Sequence, residues 1–390
     1  MVTWPNIVKF IRSISRIHLR QVDRDYIRNF SLQDVNWEHL AVLAEMEGVA
    51  GFLYYHLRHS DLDVSLPESV TDRLENHYRQ TAEHTFTTVS EIKNLSVKPA
   101  KVRIPVIALQ GLSAINLYND PGLRPLGDVD LMVDPSHKEM LKGLFLEAGY
   151  RPPITYPYLL HKNGMWIDIH THILNLDRIQ ARRYLFPEDL ASMWNKAVPF
   201  FDDSDGVLRL DPLDNFVALA AHALKHSYSR TIWLVDLHES LLKLTGSSDD
   251  WEDMVKRVKF WRQEKVVLYA LILMQRIFDL QVPAWVEQKL GIHRLSALEK
   301  YLLRLKQKGF SSGLLCQVLW LATIKKTGDK LKFIWETAFP QTEIMAQIRQ
   351  DHSWDNTRSS YAKRIAEIMI LAGNEFYRAL ILSLKTGWKG

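Results

Sequence analysis

The 390-residue chain has a single cysteine, Cys316, which excludes an internal disulfide framework and any multi-cysteine zinc or iron–sulfur site. Long apolar runs are missing too. The best candidate, Val266 to Met274, is closed by Gln275 and Arg276, well short of the roughly 18 residues needed to cross a membrane. Near the N-terminus, Pro5 and scattered charges stand where a secretory signal needs an apolar core, so a reducing cytoplasm is the expected compartment. No GxxxxGK[ST] loop and no GxGxxG after a strand are found, which argues against a P-loop NTPase and a dinucleotide-binding dehydrogenase. An excess of positive charge is also lacking. The net charge is +4, and residues 1 to 30 account for it, with Lys9, Arg12, Arg16, Arg20, Arg24 and Arg28 against Asp23 and Asp25. A balanced remainder is not the pattern of a dedicated duplex-binding protein, whose affinity rests on clustered phosphate neutralisation.

What is present is the composition of a folded protein: 47% hydrophobic, 11% aromatic and 24% charged residues. Three zones of different periodicity follow one another, with no fixed repeat. Residues 1–100 read as a helical region. Ile7, Ile11, Ile14 and Ile17 share one face, Trp37, Leu40, Leu43 and Ala44 another, and a long helix is expected from Pro67 to Leu95. Residues 101–205 read as an α/β core, with strands expected at Ile104 to Leu109, Val129 to Val133 and Trp166 to Ile169. Helices are expected at Ser113 to Tyr118 and Ser136 to Ala148. Residues 206–390 read as a C-terminal helical region. There Asp211, Pro212 and Asp214 signal a helix start, Trp320, Trp335, Phe339 and Pro340 mark a packed stretch, and Ile365, Ile368, Met369, Ala372, Phe376, Ala379 and Leu380 form an apolar stripe expected to bury against the protein's own helices. The expected fold class is α+β, a small mixed sheet flanked by helical regions.

The α/β zone carries the arguable chemistry. Asp128 and Asp130 flank Val129 at the start of a strand, and residues two apart point to one face with Cα atoms roughly 7 Å apart. Two such carboxylates repel each other unless hard cations lie between them, and Mg²⁺ suits oxygen ligands while keeping waters and phosphates in its shell. A second strand alternates Asp168 and His170 with Ile167 and Ile169, so neighbouring strands would add a third carboxylate. Upstream, Gly111 sits at the turn from a strand into a short helix, where backbone can approach a ligand and free N–H groups can meet phosphate. Arg124, four residues before Asp128, offers a planar donor array for a phosphate oxygen, or a balance for the acids.

The order Leu109, Gln110, Gly111, then Arg124, Pro125, Leu126, Gly127, Asp128, Val129, Asp130, Leu131, Met132, Val133, and later Ile167, Asp168, Ile169, His170 resembles the nucleotidyltransferases of the DNA polymerase β superfamily. More narrowly it is similar to a bacterial family of uncharacterised nucleotidyltransferases. Trp37 with the Leu40 to Gly51 stretch, the helix of His222, and Trp233, Leu234 and Asp236 look like that family's flanking segments, so the likeness spans about residues 30 to 345. The chain departs from the pattern at two places: Gln110 stands where the family has Lys, and Leu112 separates Gly111 from Ser113.

The resemblance implies that Asp128, Asp130 and Asp168 hold two Mg²⁺ ions, with Asp168 also the base toward an acceptor hydroxyl. It places Gly111, Ser113 and Arg124 at the nucleotide, and the reaction it implies moves AMP from ATP to a hydroxyl of a small molecule, saccharide or protein. His170, His222 and Asp236 are candidates for the acceptor pocket, His222 and Asp236 by pairing across two helices. Two other readings stand beside this one. His161, His170, His172, His222 and His226 could serve a zinc-dependent hydrolase with Asp168. The substitution Gln110 would suit a non-catalytic scaffold of the same fold.

Overall fold

The computed structural model of the protein describes residues 4–385 except 31–34, 60–61, 63, 65, 154–155, 178, 202–203, 311–314 and 340–357. Its sheet is built from six short strands: β1 (Val106–Ala108), β2 (Val129–Val133), β3 (Leu159–Lys162), β4 (Met165–His170), β5 (Val198–Phe201) and β6 (Ser204–Arg209). Their spatial order is β3-β4-β2-β1-β6-β5. β2 runs parallel to β4 and β1 parallel to β6, while the β1–β2, β3–β4 and β5–β6 pairs are antiparallel. This is the expected α+β class with a mixed sheet. The three strands read from the sequence are present, Val129–Val133 with the expected bounds and the other two trimmed or extended by a residue or two at each end; β3, β5 and β6 were not anticipated.

Five helices precede the sheet: α1 (Trp4–Ile14), α2 (Gln21–Arg28), α3 (Trp37–Met46), α4 (Ala50–His59) and α5 (Glu68–Lys101). Within it lie α6 (Gln110–Ala114), α7 (Lys138–Glu147) and α8 (Ala191–Lys196). Beyond it run α9 (Pro212–Lys225), α10 (Thr231–Leu244), α11 (Ser248–Phe260), α12 (Glu264–Phe278), α13 (Ala284–Leu290), α14 (Ala297–Gln307), α15 (Leu315–Thr323), α16 (Thr327–Ala338) and α17 (Arg358–Lys385). The start of α9 follows its sequence signal: the Asp211 carboxylate accepts from Leu213 N at 3.1 Å and Pro212 occupies the first turn.

Alternation along the strands divides the core in two. Val129, Leu131 and Val133 of β2 and Ile167 and Ile169 of β4 face one hydrophobic cluster, with Leu141 and Phe145 of α7. Ile107 and Met132 face the other, larger cluster, which gathers Phe10, Leu40 and Phe52 from the first helices and Phe216, Leu237 and Leu268 from the later ones. Asp130, Asp168 and His170 fall on the same side of the sheet as Met132, because side chains two residues apart share a face. The acids therefore look toward the helices of the second cluster. Ile11 and Ile14 are buried, so α1 packs on the protein. The stripe on α17 behaves otherwise: Ile365 is 44% and Met369 68% exposed, Ala372 is exposed and Ile368 half-buried, a correction to its expected burial. Pro340 and the side chains of Phe376, Ala379 and Leu380 lie outside the described residues. Among the described residues, no helix is long and apolar enough to cross a membrane.

Candidate active site

The β2–β4 ladder fixes the centre of the site. Its register sets Asp130 directly beside Asp168 and Met132 beside His170, so the two carboxylates and the imidazole project from adjacent parallel strands on one face. His170 Nε2 lies 2.7 Å from Asp130 Oδ1 and 3.2 Å from Asp168 Oδ2. All three side chains are buried, and their ligating atoms lie within 4.8 Å of one another. Yet neither ring nitrogen of His170 makes a well-directed hydrogen bond to any described residue. Donors that converge without bonding each other well surround a point where a small cation fits, and two carboxylates with an imidazole are a donor set for a divalent metal. In the protein alone, burial works against a charge on His170, but contact with Asp130 and Asp168 outweighs it and holds the imidazolium up at about 9.

Asp128 stands at the mouth, one residue before β2, exposed where Asp130 is buried. The charge of Asp130, with desolvation second, pushes Asp128 up to about 6. This mutual repulsion is what a bound cation would relieve.

β1 brings the next part. Leu109 N donates to Asp130 O at 2.9 Å, continuing the β1–β2 ladder, so the turn at Gln110 and Gly111 begins alongside the acids. Gln110 holds a left-handed backbone (φ 51°), and its buried Nε2 has no hydrogen-bond partner among the described residues. Gly111 is required by contact: a Cβ there would meet Arg124 Nη1 at 2.7 Å. Arg124 is itself buried and held by Asp236 of α10, with Nη2 to Oδ2 at 2.7 Å and Nε to Oδ1 at 3.3 Å, while Tyr118 donates to Asp236 Oδ1 at 2.6 Å. Burial disfavours the guanidinium charge, and Asp236 more than compensates, so Arg124 remains a cation.

A cleft of about 380 Å³ opens over these groups. The sheet side contributes Gln110, Gly111, Arg124, Asp128, Asp130 and Asp168; the opposite wall is Arg182 with His222 and Lys225 of α9, then His226, Arg230 and Trp233. The rings of His222, His226 and Trp233 lie 4.7–5.4 Å apart and form an aromatic surface. Burial pushes both histidines down, His226 to about 3, so the surface is uncharged. The arrangement offers metal-binding acids at one end, cations along the wall and a neutral cluster of mutually tilted aromatic rings beside them. That combination suits an anionic ligand with a planar group.

The model of the uncharacterised nucleotidyltransferase family matches residues 33–279, well over half of the chain. The chain belongs to this family. It is therefore a nucleotidyltransferase, an enzyme that transfers a nucleotidyl group, and the matched segment contains the whole cleft. No curated protein and no solved structure matches the chain.

For the nucleotidyltransferase, the placement of each anticipated residue is informative. Asp128, Asp130, Asp168, Gly111, Arg124 and His222 line the cleft. Ser113 stands behind it, its hydroxyl 2.9 Å from Gln110 O and 2.8 Å from Asn215 Oδ1, tying α6 to α9. His170 lies beneath the carboxylates and not along the cleft wall, and Asp236 partners Arg124 and Tyr118 rather than His222. The other histidines are dispersed. His161 Nε2 accepts from Gly164 N in the β3–β4 turn, and His172 bridges Pro187 O and Leu174 N, so only His170 joins the acids. Lys225, Arg182, Arg230 and Trp233 were not singled out for this cleft. A lysine in the last turn of a helix reads as a complement to the helix dipole, which hid Lys225.

Proposed function

We propose that the enzyme moves a nucleoside monophosphate, most simply AMP from ATP, onto a hydroxyl of an acceptor that is a small molecule, a saccharide or a protein. Mg²⁺ is the assisting ion, the cytoplasm is the setting, and the fold is that of the DNA polymerase β-like superfamily in a bacterial branch. The observation that carries this reading is the convergence of Asp130, Asp168 and His170 beside Asp128 at the floor of the cleft. Asp128, Asp130 and Asp168 are the residues that would hold two Mg²⁺ ions, with His170 against the inner carboxylates. Ions so bound neutralise phosphate charge and lower the acceptor hydroxyl's pKa.

The chain's own groups account for the rest. The acceptor oxygen attacks the α-phosphorus, the bond between that phosphorus and the bridging oxygen breaks, and pyrophosphate leaves with the electron pair. Asp168 takes the acceptor's proton. Gly111 lets the backbone come close to the phosphates, Arg124 faces them while Asp236 fixes its guanidinium, and Ser113 holds the turn from behind. His222, with His226 and Trp233, forms the wall against which a planar substrate group lies.

Label from α-³²P ATP, followed with candidate acceptors and Mg²⁺, tests the reading: a labelled product requiring Mg²⁺ is expected. Asp130→Asn should abolish that transfer; in the metal-free protein it relieves Asp128 but takes from the His170 imidazolium its nearest carboxylate, so the melting temperature at neutral pH should fall while the protein stays folded. Turnover preserved in Asp130→Asn would contradict the metal role. Titration calorimetry separates the alternatives. Absence of Mg²⁺-dependent ATP binding favours the scaffold, and zinc retained through purification favours the hydrolase.

A further inference from the structure

The charges in the cleft are unevenly supplied. On the sheet side stand three carboxylates, the neutral amide of Gln110, and Arg124, whose guanidinium is already matched by buried Asp236. A polyphosphate entering there needs cations from elsewhere, and the opposite wall has them in Arg182, Lys225 and Arg230. Lys225 is the distinctive one. It is the last residue of α9, shares the cleft with Asp128, Asp130 and Asp168, and makes no hydrogen bond or ion pair among the described residues. A lysine that merely complemented a helix dipole would keep its ammonium in water. This one is half-buried and lines the cleft: burial, and then the charge of Arg182, bring it down to about 8 against the pull of the three acids.

We propose that Lys225 binds the polyphosphate of the nucleotide, so that the helical wall, and not the Gln110 turn, supplies the principal phosphate-gripping ammonium. The assignment rests on the nucleotidyl-transfer reading above. A lysine ammonium is a compact point charge with three donors, suited to oxygens shared between adjacent phosphates. Held at the end of α9, it would fix the leaving pyrophosphate relative to acids that project from a different layer of the fold.

Calorimetry of the full chain with Mg²⁺ tests it, using ATP, AMP and inorganic tripolyphosphate as probes. Lys225→Met should weaken ATP and tripolyphosphate by about tenfold or more, as expected for loss of a charge-assisted contact. AMP should change by less than about twofold, and Lys225→Arg should recover most of the loss. Thermal unfolding of each variant confirms that it is folded; should Lys225→Met fail there, Lys225→Gln takes its place. Equal ATP affinity in wild type and Lys225→Met overturns the assignment, as does a parallel loss of ATP and AMP. A wild-type protein that binds neither ATP nor tripolyphosphate overturns the nucleotide reading itself, which separates the two failures.

Discussion

At Gly111 a single hydrogen in place of a methyl decides whether Arg124 can hold its position. A methyl in Gly111→Ala would come to 2.7 Å from Arg124 Nη1, forcing the guanidinium from Asp236, whose carboxylate would be left buried without its cation. Overpacking of this kind costs about 1–3 kcal/mol. Gly111→Ala should therefore lower the melting temperature modestly and weaken ATP binding more than Ser113→Ala does, read by calorimetry. His170 gives a second expectation. Its folded-state pKa of about 9 exceeds the ordinary 6.5, so its stabilising pairing with Asp130 and Asp168 is complete below pH 6.5 and is lost as pH rises toward 9. Metal-free protein should accordingly melt lower at pH 9 than at pH 6.5, and added Mg²⁺ should raise the melting temperature more at the higher pH, where the proton no longer competes. A scan showing no dependence of the Mg²⁺ effect on pH would contradict this. Asp128 and Asp130 were legible because strand alternation puts residues two apart on one face; Asp168 joined them only if its strand lay beside theirs, which the β2–β4 register supplies. Lys225 and Arg182 were not, because their meeting with those acids depends on how α9 and the segment before α8 pack across the sheet.

At the scale of elements, the sheet is clamped by backbone contact. α5 crosses β6 so closely that a Cβ on Gly206 would lie 1.9 Å from Ser96 O, a backbone carbonyl toward the C-terminal end of the long helix, which cannot swing aside as a side chain would. Gly206→Ala should destabilise the protein by about 3 kcal/mol or more, at the upper end of overpacking effects. A fall in the urea midpoint measures it, and retention of the wild-type midpoint would show that α5 yields. β2 and β4 were readable from branched residues alternating with acids. β6 was not: Ser204, Asp205 and Gly206 open it without apolar alternation, and its pairing beside β1, with α5 across it, is what makes it a strand. β3 escaped notice although Asn163 and Gly164 supply a turn signal between it and β4, because Leu159 to Lys162 has only two apolar residues. Such short strands are specified by partners distant in sequence, and local pattern carries little of that information.

Across the whole molecule, helices from both ends of the chain and the inner face of the sheet share one hydrophobic cluster, so the acids at the sheet and the wall on α9 are held in a common packing unit. The change of periodicity near residue 100 was visible in the sequence; the joining of early and late helices was not, since each amphipathic face is silent about its partner. Buried histidines lie through this unit. His56 donates to Arg16 O at 2.7 Å, and His172 sits between Pro187 O and Leu174 N; burial pushes each down to about 4. Both are neutral in the folded state and protonate readily once unfolded, so the stability they confer is complete above pH 6.5 and lost as pH falls toward 4. For these two, both nearly inaccessible, the gap from the ordinary 6.5 corresponds to roughly 3 kcal/mol each. The protein should therefore lose stability steeply between pH 6.5 and 4. His56→Gln combined with His172→Gln should flatten that acid limb while lowering the plateau near pH 7, because each glutamine removes a titrating group at the expense of buried packing. Circular dichroism melts at half-unit pH steps distinguish this from general acid denaturation, in which the double variant would keep the wild-type slope.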